Sequence, residues 1–148
     1  MKDIKREDLE KIADAFADEH TDHYRTRLVT EQDKKILLDI KVLKKENALE
    51  KKIEFCNAIV EWFKKNAHAV KEFAAEEMLE LKNDNWLEEG EEELTEEEFV
   101  KKMEINSVFI DTDNAVSLYY DDGDMFWGHA IVVQLDKSLD FKYASIEG

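Results

Sequence analysis

One cysteine, Cys56, stands among 148 residues, so neither an intramolecular disulfide nor a cysteine-rich zinc site can form. That scarcity fits a reducing compartment, and Cys56 itself reads as a small hydrophobe on a helix. Four glycines in the whole chain exclude a glycine-rich phosphate loop at a helix start. No serine sits in a glycine-flanked elbow and Cys56 has no local partner, which leaves nucleophilic catalysis without a constellation. There is also no apolar run near the ~18 residues of a membrane span. Met1 leads into "KDIKREDLEK" without the apolar stretch of a secretory leader, and a cytoplasmic protein is expected.

Negative charge is what the chain has in excess, with 37 Asp and Glu against 21 Lys and Arg. The surplus is uneven: residues 1–71 hold 16 basic and 15 acidic side chains, residues 72–148 hold 5 and 22. Such a field repels phosphate backbones and anionic lipid, so neither nucleic acid nor a membrane is expected as partner. A basic protein would be attracted and steered. The plainer alternative is acidity that only confers solubility.

Hydrophobic content of 43%, with 10% aromatic, suffices for one core, and residues 1–148 are read as a single domain. It divides into an N-terminal helix and hairpin (1–47), a helical part (48–103) and a β-meander (104–148). Leu9, Ile12, Ala13 and Phe16 recur at helical spacing and predict a short amphipathic helix. Tyr24, Thr26 and Leu28, then Ile36, Leu38, Ile40 and Val42, alternate on either side of "TEQDK" and predict a hairpin.

Residues 48–82 contain neither glycine nor proline and carry two apolar stripes, one through Ile53, Cys56, Val60, Phe63, Ala67, Val70 and Ala74, the other through Phe55, Ile59 and Trp62. A helix buried on more than one side is expected there as the central packing element, with a break at 66–68 where Asn interrupts it. Eight glutamates among residues 88–98 repel one another, so 88–93 should be a solvated loop. Thr95 and Glu98 form a capping box for a short helix bearing Phe99 and Met103. Period two then returns, with strands expected at 105–110, 116–120, 127–135 and 141–146, separated by "DTDN", "DDGD" and "DKSL". The fold class is α+β, with helices packed on one face of an antiparallel sheet and a C-terminal meander.

The stretch "YYDDGDMFWGHAIVV", residues 119–133, invites a chemical reading. Asp111, Asp113, Asn114, Asp121, Asp122 and Asp124 could ligate calcium, but Ala115 and Val116 stand where an EF-hand loop needs a ligand and a glycine. A metal hydrolase would need His129 beside those carboxylates. On a regular strand His129 shares its face with Trp127, Ile131, Val133 and Leu135, which reads as core, although a bulge at Gly128 would reverse the faces. His20 and His23 stand three apart without a completing ligand, and His68 has only Glu72 nearby. No residue is assigned a catalytic or metal-binding role, and no cofactor is implied.

Three segments, "KNDNWL", "LTEEEFVKKMEINSVFI" and "LYYDDGDMFWGHAIVVQLDKSLDFKYASIEG", resemble an uncharacterised bacterial domain-of-unknown-function family marked by a C-terminal DDGxxFWGH block. The resemblance covers residues 48–148. It implies an α+β fold and no established activity, and it allows the immunity-protein role attributed to some related uncharacterised families. The functional expectation is a non-enzymatic protein-binding module, an immunity protein that neutralises a basic bacterial toxin. Its candidate contact residues are Trp86, Glu88, Glu89, Glu91, Glu92, Glu93, Asp121, Asp122 and Asp124. The alternatives are a metal-assisted enzyme or small-ligand binder using Asp121, Asp122, Asp124 and His129, and a structural domain.

Overall fold

In a computed structural model, residues 2–13 and 19–148 are described. After a single 3-10 turn at Arg6–Asp8 come β1 (Glu10–Ile12), β2 (Thr21–Val29), β3 (Lys35–Leu43), the helices α1 (Ala48–Asn85) and α2 (Glu96–Lys102), then β4 (Glu104–Ile110), β5 (Val116–Asp121), β6 (Ala130–Leu135) and β7 (Phe141–Glu147). The seven strands form one sheet in chain order. Every neighbouring pair is antiparallel except β3 and β4, which run parallel, Leu37 opposite Ser107 and Ile40 opposite Ile110. Parallel strands cannot be joined by a tight turn, and both helices lie in this one long connection.

Alternation decides which face is buried. Ile36, Leu38, Ile40 and Val42 of β3, Val108 and Ile110 of β4, Val116, Leu118 and Tyr120 of β5, and Ile131, Val133 and Leu135 of β6 all enter the core. They form one cluster with Cys56, Ile59, Val60, Val70, Ala74, Ala75 and Met78 of α1. The two helical stripes therefore both meet the sheet, as their spacing predicts. At the edge, Phe141 of β7 stacks on Phe73 of α1 with ring centroids 4.7 Å apart. The opposite face keeps its polar pairs, among them Arg25 with Asp39 and Ser117 with Gln134.

Several local expectations are met in detail. Thr95 Oγ1 accepts from the Glu98 amide at 3.2 Å while Glu98 Oε1 accepts from the Thr95 amide at 3.0 Å, the two halves of the capping box. The "DTDN" turn is closed from inside: buried Lys52 donates from Nζ to Asp111 O and to Asn114 Oδ1, both at 2.6 Å. Asn114 is thereby committed to a lysine.

Three expectations are corrected. Residues 10–12 pair as a strand, Glu10 with Arg25 and Ile12 with His23, and are not helical; Phe16 lies outside the described residues. A short isolated helix is marginal in water, whereas an edge strand receives its hydrogen bonds from a preformed neighbour. The break at 66–68 is absent, and α1 runs unbroken for 38 residues. Asn66 costs a helix only about 0.7 kcal/mol at most, and burial of Val70, Ala74 and Ala75 beyond it outweighs that. Finally, β6 begins at Ala130, so residues 127–129 are not strand. Among the described residues no helix is long and apolar enough to cross a membrane.

Candidate functional site

Asp122 organises the connection between β5 and β6. It is 5% exposed, and its carboxylate accepts three backbone N–H groups: Asp124 at 3.0 Å on Oδ1, Phe126 at 2.8 Å and Gly128 at 3.0 Å on Oδ2. Wrapping a chain around one carboxylate requires left-handed backbone, found here at Gly123, Asp124, Trp127 and Gly128. A Cβ on Gly123 would lie 2.6 Å from the Lys102 carbonyl oxygen, so the loop is pressed onto the end of α2. Met125 and Phe126 plug the core, Phe126 set edge-on to Phe99 and to Trp86 at centroid distances of 6.0 and 5.6 Å.

The same geometry turns Trp127 outward. With φ at 57° this tryptophan adopts a conformation that costs a bulky L residue about 1–2 kcal/mol. Trp127 is 55% exposed. Its indole meets Trp86 at 4.7 Å and 62°, and Trp86 meets the His129 ring at 5.4 Å and 68°. His129 Nδ1 lies 2.6 Å from the Phe126 carbonyl, which only accepts, so Nδ1 carries a proton and Nε2 of the neutral ring is left as an acceptor.

The glutamate-rich segment adjoins this cluster through Trp86. At the end of α1 the fully buried Lys82 donates to Trp86 O at 2.7 Å and to Glu91 Oε1 at 2.9 Å. The hydrogen bond from Lys82, followed by that from the Glu88 amide, holds the Glu91 carboxyl below the usual carboxylate range. Asn83 exchanges two hydrogen bonds with the backbone of Leu94, 2.9 and 3.0 Å, closing the far end of the loop. Residues 88–93 are thus a solvated loop, as expected, yet one pinned to α1 at both ends. Glu88, Glu89, Glu92 and Glu93 are exposed and, among the described residues, form no ion pair.

The contact residues expected from the sequence fall into distinct settings. Trp86 is half-buried at the centre of the cluster, Glu88, Glu89, Glu92 and Glu93 are exposed on the loop that follows it, and Glu91 is turned in to Lys82. Asp121 is exposed and accepts from Asn106 Nδ2 at 2.9 Å. Asp124 is exposed, and Asp122 is buried among the amides it accepts. Aspartates of the flanking turns act likewise, Asp113 accepting from Ala115 N and Asp136 from Ser138 N and Asp140 N.

Trp127 and His129 do not lie on a core strand face, contrary to the alternation argument. Four left-handed residues interrupt the period-two pattern before β6 starts, and Gly123 and Gly128 were its only sequence signal. Among the described residues no three His, Cys, Asp or Glu side chains are grouped to hold a metal ion. The Cys56 thiol is buried, and burial pushes it up to about 12. A cleft of about 990 Å³ lies elsewhere, between residues 2–8 and the end of β2, with Lys2 and Lys5 alternating with Asp3, Glu7 and Asp8 on its wall. Among the described residues no aromatic ring lines it.

The family described as an uncharacterised protein conserved in bacteria, DUF2262, matches residues 10–146. No curated protein and no solved structure matches the chain.

Proposed function

Because the chain belongs to this family of uncharacterised bacterial proteins, membership brings no activity with it, and we propose from the geometry a non-enzymatic module that binds a basic protein. The specific role we propose is that of an immunity protein, a stoichiometric blocker of a cationic bacterial toxin. One observation supports the reading above all: an exposed tryptophan is backed by a second indole, Trp86, and the chain running on from Trp86 carries four exposed glutamates that form no ion pair among the described residues. Tryptophans desolvated at the centre of an interface dominate binding energy, while surrounding like charges raise the encounter rate with an oppositely charged surface. Turn aspartates contribute little to such a surface, since several are occupied by their own backbone.

The test is affinity for a basic protein encoded beside the gene, measured by calorimetry at low and moderate salt. Replacing Glu88, Glu89, Glu92 and Glu93 together by Gln should leave the circular dichroism spectrum unchanged and lower the affinity, most strongly at low salt. Unchanged affinity, with aggregation as the sole effect, would mean that the acidity serves solubility and the proposal is wrong.

A further inference from the structure

We propose that the Trp86, Trp127 and His129 cluster is the receptor for a cationic side chain of the partner, with arginine preferred. The inference rests on the protein-binding reading and names the contact at its centre. Geometry supplies the first argument. The two indoles meet at 62° and the His129 ring stands at 68° to Trp86, so the rings form a corner instead of a flat patch, with the exposed Trp127 as its outer wall. A planar guanidinium laid on an indole face gains from the ring quadrupole and keeps its edge free for hydrogen bonds. His129 serves as a backing ring and not as a hydrogen-bond acceptor, because Nδ1 is held by Phe126 O and the Cδ2–Nε2 edge faces Gly148, where an added Cβ would lie 2.1 Å from Cδ2 and 2.8 Å from Nε2.

Charge supplies the second argument. Two exposed acidic residues are close to these rings along the chain, Asp124 three residues before Trp127 and Glu88 two residues beyond Trp86. Lys82 is buried on Glu91 and the Trp86 carbonyl, and Lys101 pairs with Glu97. Lys102 abuts Gly123 without an ion pair, and among the described residues no lysine or arginine is stacked on these rings. Lys82 thus neutralises one glutamate beneath the surface, where it cannot compete for the aromatic faces.

Acetylated hexa-arginine, hexa-lysine and hexa-glutamine peptides, titrated by calorimetry into the intact chain at two salt concentrations, test the assignment. Hexa-arginine should bind more tightly than hexa-lysine, and hexa-glutamine should not bind. Trp127→Ala should weaken hexa-arginine binding about tenfold, an effect that Trp127→Phe partly restores and that survives high salt. The Gln variant at 88, 89, 92 and 93 should lose affinity only at low salt. If Trp127→Ala binds hexa-arginine like the parent while the glutamine variant loses affinity, the aromatic receptor is refuted and the acidic binding surface stands. If no cationic peptide binds, both fall together.

Discussion

Replacing Asp122 should destabilise the protein by an amount that the three hydrogen bonds on its carboxylate allow to be worked out. In Asp122→Ala the Phe126 amide, bonded in a fully buried contact, loses its acceptor where water cannot enter, at a cost of about 1–3 kcal/mol. The Asp124 and Gly128 amides are part-buried and can turn to water, adding about 0.5–1 kcal/mol each. A loss of about 3 kcal/mol is expected, or roughly 10 °C in melting temperature for a chain of this size. Asp122→Asn keeps one oxygen for Phe126 and Gly128, but its amide group then confronts the Asp124 N–H, donor against donor, for about 1.5–2 kcal/mol. Urea unfolding with an unchanged slope reads both values. Tryptophan emission should shift as well, because the loop that holds Trp127 loosens. Variants within about 0.5 kcal/mol of the parent, or Asn as damaging as Ala, would refute the view that this carboxylate holds the loop.

Gly123→Ala and Gly128→Ala separate strain from contact: both have left-handed φ, but only Gly123 faces an immovable atom, the Lys102 carbonyl oxygen. The first should cost about 2–3 kcal/mol and the second about 1, measured by the same unfolding curves. Cys56, buried and with its thiol raised to about 12, should react with a thiol reagent only at the rate of unfolding, and fast modification of the native protein would contradict its packing. The lowered Glu91 pKa means that its pairing with Lys82 stabilises the fold above the ordinary glutamate range, and that this contribution is lost as pH falls through the depressed value. Between about pH 5 and pH 3 the parent should therefore lose more stability than Glu91→Gln, as followed by urea midpoints. Parallel pH profiles would show that the pair carries no linkage.

Short-range features were legible because they depend on atoms within a few residues of one another. The hairpin of β2 and β3, the Thr95 box and the turns after β4 and β6 belong to this class. The repulsive run at 88–93 was also read as solvated, which the loop is. The sequence did not reveal that Glu91 is drawn back to Lys82, since a lysine inside a helix reads as a surface residue until the loop folds over it. Nor did it reveal that α1 stays whole through Asn66, because the burial that holds it there comes from strands elsewhere in the chain.

By itself the sequence determined the α+β class, the apolar stripes that the long helix buries and the acidic character of the C-terminal half, all of which follow from local periodicity and composition. Only the tertiary structure decided that Trp86 and Trp127 meet, that Asp122 faces inward and that Trp127 faces out. The physical reason is that a side chain's direction after a turn depends on the accumulated backbone dihedrals. Four left-handed residues, stabilised by one buried carboxylate and by contact with α2, rotate that direction in a way no alternation of residue types records.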